Sequence, residues 1–277
     1  MVHRLLDEEQ AGPEAPPPDG AARSATRSAT RPGPPAHTAD SARHLPDARH
    51  LPDLVPRGAI VPHAGYVYSG RVAASAYRHL TAVRGRFRRV VLIGPAHFVP
   101  VQGVAVSAAS GFETALGVLP VDEAGRAAAL EVPGVSRDDA PHEPEHSLEV
   151  QLPFILETIG AVPIVPLLVG RAGTAHVADL LDALWTPDSL LLVSSDLSHY
   201  LDVAAARARD SLTVTAILHR DAAGIADSDA CGSYAVRPLL ATAEARNMTL
   251  TLADMGTSAD AGGDPRRVVG YASVLVS

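Results

Sequence analysis

The chain has 277 residues, is 47% hydrophobic but only 4% aromatic, and carries a formal net charge of −8. That is enough apolar material for one large domain or two small ones, with a core of Val, Leu, Ile and Ala. The acidic balance leaves no basic footprint for nucleic acid and argues against anionic lipid, and the single cysteine rules out an internal disulfide. A chain without disulfides suits a reducing compartment. Met1 to Gln10 carries Asp7, Glu8 and Glu9 where a signal peptide would need an apolar stretch, and no run approaches the roughly 20 apolar residues of a membrane span. A cytoplasmic protein is the expectation. All the basic residues are arginine, and the richness in Ala, Pro and Gly reads as the coding bias of a high-GC bacterium.

Residues 1–54 are dense in Pro, Ala, Ser, Thr and Arg. They hold two short tandem duplications, Arg23-Ser24-Ala25-Thr26 and Ala42-Arg43-His44-Leu45-Pro46-Asp47. With little to bury, such a segment cannot offset the entropy of ordering it, so a disordered tail is predicted, with His3, His37, His44 and His50 in water. A domain over 55–277 follows. Ala59 to Pro62 reads as a strand and Ser69 to Leu80 as a helix with Val72, Ala76 and Leu80 on one face. Arg89 to Ile93 is a second strand, with Gly94-Pro95 as its turn. After a less regular stretch, Glu145 to Ile159 reads as a helix that Pro153 should kink or divide. Ile164 to Val169 is a strand, Thr174 to Trp185 a helix, and Leu190 to Ser195 a strand. Two Ala-rich helices, Val203 to His219 and Tyr234 to Ala245, precede the closing strands Thr249 to Ala253 and Val268 to Val276. Strands alternating with helices predict a single α/β domain with a mostly parallel sheet flanked by helices.

Four of these segments end in polar clusters. They are Pro62-His63, Gly94-Pro95-Ala96-His97, Ser194-Ser195-Asp196 with His199, and Asp229-Ala230-Cys231-Gly232. Ligands of an open α/β sheet gather beyond the carboxyl ends of its strands. His63 and His97 stand 34 positions apart, a spacing that is neither a zinc finger nor a helical HExxH pair. Taken singly, each histidine reads first as a strand-end cap or a loop hydrogen bond. Taken together they occupy the same topological position on consecutive strands, which tend to be neighbours in space. Cys231 reads either as a small buried hydrophobe or, among Asp227, Ser228 and Asp229, as a metal thiolate. Asp196 reads as a helix cap or as the group that orients His199 for general acid or base work. At helical spacing His146 and Glu149 share a polar face opposite Leu148, Leu152, Ile155 and Ile159. If that face lines the cleft, His146 positions substrate.

In this order the segments resemble the Memo-like family, whose bacterial members are usually called AmmeMemoRadiSam system protein B. The matching stretches are Val61-Pro62-His63-Ala64-Gly65-Tyr66-Val67-Tyr68-Ser69-Gly70, Gly94-Pro95-Ala96-His97, and Glu145-His146-Ser147-Leu148-Glu149-Val150-Gln151-Leu152-Pro153-Phe154. They continue with Ser194-Ser195-Asp196-Leu197-Ser198-His199, Ala230-Cys231-Gly232 and Arg267-Val268-Val269-Gly270-Tyr271-Ala272. The resemblance implies a fold like that of the class III extradiol dioxygenases. It implies one metal ion held by His63, His97 and Cys231, with Cys231 where those enzymes have a carboxylate. It also implies His199 as acid/base with Asp196 beside it, and His146 and Tyr66 against a small-molecule or peptide substrate.

Thiolate with imidazole suits iron(II), copper or zinc better than magnesium or calcium, and the resemblance favours iron or copper over zinc. Two function classes follow from the resemblance: a non-haem iron or copper oxidoreductase, and a metal-dependent binding or scaffold protein without turnover. The system name implies AMMECR-like and radical-SAM protein partners. Three features depart from the family pattern. Residues 1–54 contain no Ala-Gly-x-Phe-Tyr-Pro segment, Tyr234-Ala235 stands where a Gly-Pro pair is expected after Cys231-Gly232, and Ala259 stands where glycine is common.

Overall fold

The structure, a computed structural model, describes residues 54–277. The predicted tail, with His3, His37, His44 and His50, lies outside the described residues apart from Leu54, which packs against the core. A strand covered on both faces reads as an unbroken apolar run, and the domain opens on one, β1 (Gly58–Val61). Helix α1 (Tyr66–Leu80) begins three residues before the predicted start, with Gly65 as its N-cap. Strand β2 (Arg89–Pro95) runs through Gly94 and Pro95, which are paired with Leu168 and Val169 and do not form the predicted turn. Pro95 is the last residue of β2.

The stretch read as irregular holds β3 (Val104–Val106), the hairpin β4 (Gly111–Thr114) and β5 (Gly117–Pro120), helix α2 (Glu123–Leu130) and β6 (Val135–Arg137). These elements are three to eight residues long, too short for a periodicity argument. The helix predicted over 145–159 is also corrected. Only α3 (Gln151–Thr158) is helical; residues 147–150 form a turn and 145–146 have no regular structure. Pro153 is the third residue of α3, inside the first turn, where amides have no intrahelical partner, so no kink follows. His146 and Glu149 therefore do not share a helical face.

The rest follows the predicted order with one added short strand, His199–Leu201, that the sequence reading does not include. It comprises β7 (Ile164–Val169), α4 (Thr174–Leu184), β8 (Ser189–Ser194), β9 (His199–Leu201), α5 (Val203–Leu218), α6 (Ser233–Ala245), β10 (Leu250–Thr257) and β11 (Val268–Val276). The sheet order is β10-β11-β1-β8-β2-β7-β3-β6, with β9 on β11. Strands β1, β8, β2 and β7 pair in parallel, and antiparallel neighbours β11 and β3 flank them. Their order in the chain predicts that β1 and β2 are neighbours; instead β8 lies between them and pairs with both.

The side-chain period of two divides the core. Ile60, Val91, Ile93, Leu191 and Val193 face one layer, with Leu180, Leu184, Val214 and Leu239. Ala59, Val61, Leu92, Leu190 and Leu192 face the other, with Tyr77, Leu80, Leu152 and Ile155. In that second layer Tyr77 stacks on Phe154 at 4.7 Å and 6°, a contact of about 1 kcal/mol beyond burial. No helix among the described residues is long and apolar enough to cross a membrane.

Candidate metal centre

The carboxyl ends of β1, β8 and β2 point the same way, so the residues just beyond them converge. His63 follows β1, His97 follows β2, and the turn before α3 brings in His146. Ring centroids lie 5.2 Å apart for His63 and His97, 5.6 Å for His63 and His146, and 5.3 Å for His97 and His146. One nitrogen from each ring lies within 4.8 Å of the others, and this is a group that could hold a metal ion. Cys231 is not part of that group, but its Sγ is 3.3 Å from His63 Nε2.

Hydrogen bonds determine which nitrogen each ring presents. The Ser194 hydroxyl donates to the Ser147 carbonyl at 2.7 Å, so its oxygen must accept from His63 Nδ1, 2.9 Å away. Gln151 supports this oxygen. Its Nε2 donates to Ser194 Oγ and to the Pro62 carbonyl, while its Oε1 accepts from the Tyr77 hydroxyl. A flipped amide would set Oε1 against the Pro62 carbonyl, so the network permits one orientation. His63 is therefore the Nδ1–H tautomer, with its Nε2 lone pair toward Cys231.

His97 is held the same way by Glu145. The carboxylate accepts the His97 amide at 2.6 Å, the ring Nδ1–H at 2.9 Å and the Ser147 amide at 2.9 Å. Burial alone would raise the Glu145 pKa, but these bonds outweigh it and hold it down at about 2. An ionised carboxylate only accepts, so His97 also presents Nε2. Burial lowers the His63 pKa to about 4, against the pull of Asp196, so its ring is neutral at pH 7. A neutral imidazole whose far nitrogen is hydrogen-bonded is the form that binds metal.

Cys231 sits between α5 and α6. Its amide donates to the Asp196 carbonyl at 3.2 Å, and its sulfur accepts the Asp196 amide at 3.2 Å. Burial, followed by the Asp196 charge, pushes the thiol pKa far up. Without a metal the group is a thiol aimed at His63 Nε2. Nitrogen and sulfur on one tetrahedral ion stand ~3.5 Å apart, close to the observed separation, so this pair fits a soft or borderline cation. The Gly232 amide donates to Ser195 Oγ at 3.0 Å, tying the loop to the tip of β8.

The other predicted site residues are distributed as follows. The Asp196 carboxylate accepts the His63 amide at 2.8 Å and the Ala64 amide at 3.3 Å, joining the tips of β8 and β1. His199 begins β9, with Nδ1 bonded to the Leu197 carbonyl at 2.8 Å. Tyr66 donates to the Val150 carbonyl at 3.0 Å, and burial with the nearby Glu149 raises its pKa to about 12. His146 is 45% exposed, its Nδ1 3.3 Å from Glu145 Oε1. The sequence reading assigned no role to Glu145, Ser147, Gln151 or Ser194. Gln151 and Ser194 carry a weak signal, as polar residues that interrupt or end an apolar run, whereas Glu145 and Ser147 stand in a polar stretch that carries none.

The sequence of the chain matches a known family. The profile of the Memo-like protein family matches residues 43–275. A MEMO1 family protein of Thermotoga petrophila is 34% identical over 247 residues, 84% of this chain and 87% of that protein. One from Pyrobaculum arsenaticum is 36% identical over 234 residues, 79% and 82% of the two chains. A crystal structure of an uncharacterized protein from Escherichia coli K12 superposes with a TM-score of 0.52 at 15% identity. It covers 79% of this chain and 99% of its own, a likeness of fold.

Proposed function

Because the chain belongs to the Memo-like protein family, we propose that it is a metal-dependent oxidoreductase working at the carboxyl ends of β1, β2 and β8, in an extradiol dioxygenase-like cleft. One observation carries the reading: two histidines, each locked as the Nδ1–H tautomer, turn their Nε2 lone pairs to a common space that a cysteine sulfur also borders. His63, His97 and Cys231 are the proposed ligands. Two imidazoles and a thiolate suit iron(II), copper or zinc better than magnesium or calcium, and the family resemblance, which implies redox chemistry, ranks iron or copper ahead of zinc. Bound there, such an ion supplies a redox centre and Lewis acidity.

The remaining roles belong to the chain itself. Glu145 and Ser194 orient the ligand rings, and the conversion of the Cys231 thiol to thiolate on binding releases a proton. His146, half-exposed and in ring contact with both histidines, positions a small-molecule or peptide substrate, with Tyr66 nearby on α1. His199 takes or gives a proton through Nε2, because Nδ1 is committed to Leu197. Asp196 keeps His63 and the β8 tip in register.

Elemental analysis of anaerobically prepared protein tests the assignment. One iron or copper per chain is expected, lost in His63→Ala and Cys231→Ser and retained in His146→Ala. Loss in His146→Ala with retention in Cys231→Ser would replace the sulfur by the third imidazole.

A second reading, metal-dependent binding without turnover, draws on exposed apolar groups in the site segments: Val67 and Tyr68 after His63, Phe98 after His97, Tyr200 after His199. Such a rim suits a protein or peptide partner. AMMECR-like and radical-SAM proteins are the candidates for co-purification. Oxygen uptake with a panel of catechols above the metal blank favours the enzyme; its absence favours the scaffold.

A further inference from the structure

The Nδ1–H···O=C bond of His199 spans only two residues, from the ring to the Leu197 carbonyl. It survives only if the backbone of Leu197-Ser198-His199 is held still. Tyr200, the next residue, lies in the left-handed region at φ 63°, which is unfavourable for a residue with a side chain. The turn therefore needs outside support.

Three contacts supply it. The Leu197 amide donates to the Gly270 carbonyl and the Gly270 amide to the Ser198 carbonyl, both at 2.8 Å. The Ser198 amide donates to Asp210 Oδ1 at 3.0 Å. Asp210 is on α5 and 1% exposed, a rare position for a carboxylate. Its other oxygen lies against Gly270, where a Cβ would stand 1.8 Å from Oδ2. Burial pushes the Asp210 pKa up, while the Ser198 amide and hydroxyl, Arg209 and His199 pull it down. The hydroxyl's pull is the looser one, because neither Ser198 Oγ nor Asp210 Oδ2 has a partner within hydrogen-bond geometry. A buried carboxylate half satisfied by one amide costs stability, and packing alone gives no reason for it.

We propose that Asp210 is a positioning residue for His199. Acting through the Ser198 amide and seated on Gly270, it holds His199 as the Nδ1–H tautomer and leaves Nε2 as the one ring nitrogen free to exchange a proton. The inference rests on the reading of His199 as the proton-handling group, but its structural content does not require a bound metal.

Nitrogen-15 NMR of the full chain, metal-free and at mildly alkaline pH, shows directly which ring nitrogen carries the proton. The wild type should show His199 protonated at Nδ1. Asp210→Asn keeps an acceptor for the Ser198 amide and should keep that signature. Asp210→Ala and Gly270→Ala, whose methyl would displace Oδ2, should lose it and give the averaged signals of a free histidine. The His63 Nδ1–H signal should persist in all of them, as the control for fold. Should Asp210→Ala not fold, Asp210→Ser, too short to reach the amide, replaces it under the same criteria. The proposal is overturned if the alanine variants leave the His199 signature unchanged, or if Asp210→Asn loses it as completely as Asp210→Ala. Metal content of the wild type is read in parallel. Its absence would sink the proposed function and leave the tautomer result standing, whereas a metal-loaded protein with an unlocked His199 overturns only this inference.

Discussion

Glu145 and His97 are joined twice, by backbone amide and by ring, at 2.6 and 2.9 Å. The carboxylate is thus a clamp that sets both the position and the tautomer of the imidazole. Groups that orient a metal-bound histidine are typically worth 10- to 100-fold in metal affinity. Glu145→Gln should lower affinity by about that factor, read as a rightward shift in a metal titration, while leaving stoichiometry at high metal unchanged. An unshifted titration would remove the clamp from the account.

The same residue governs acid stability. Its folded pKa of about 2 lies below the ordinary 4.5, so its contribution is complete above 4.5 and is lost as pH falls from 4.5 towards 2. Linkage makes this on the order of 3 kcal/mol. Urea unfolding of wild type and Glu145→Gln at pH 6 and pH 3 should show a gap that narrows at the lower pH.

His63 titrates in a different window. Its pKa falls from 6.5 in the unfolded chain to about 4 in the folded one. The unfolded state binds the extra proton between those values, so metal-free protein should lose stability as pH drops from 6.5 to 4. The size is on the order of 3 kcal/mol. The slope in this interval should be shallower in His63→Asn than in wild type; parallel curves would mean that His63 is not buried as a neutral ring.

Gln151 is fully buried, with both ends of its amide engaged. Gln151→Ala leaves the Tyr77 hydroxyl and the Pro62 carbonyl without partners, at about 1–3 kcal/mol for each orphaned group. A fall in the denaturation midpoint together with weaker metal binding is expected, because Ser194 would lose one of the contacts that set His63.

Gly232 follows Cys231 with no room for a side chain: a Cβ would lie 2.7 Å from Ser195 Cβ and 2.8 Å from the Ser194 carbonyl oxygen. Gly232→Ala should move the loop and the sulfur, so that bound metal drops while circular dichroism stays near wild type. Full metal loading in this variant would show that the sulfur is not a ligand.

Much of the fold was legible because its strands are apolar on both faces. Runs such as Val90 to Ile93 and Leu190 to Val193 admit no reading as a solvated segment, and the helices between them gave the parallel order. The stretch from β3 to β6 was not legible, since elements of three to eight residues carry too few periods. The helix expected at Glu145 failed for a related reason. Its leucines are spaced for a helix, but the side chains of Glu145 and Ser147 bond instead to His97 and to the Pro95 carbonyl at the end of β2.

The sequence alone determined the chemistry that is available: two strand-end histidines, one cysteine and the Asp196-to-His199 segment, all chemical types that hold metal or move protons. Tertiary structure decided the rest. It inserted β8 between β1 and β2, brought His146 to the two histidines, and used Glu145 and Ser194 to choose which ring nitrogen faces the site. A residue's chemical type is local to it. Its tautomer and its neighbours depend on hydrogen bonds between segments 48 to 131 positions apart, which no window of sequence contains.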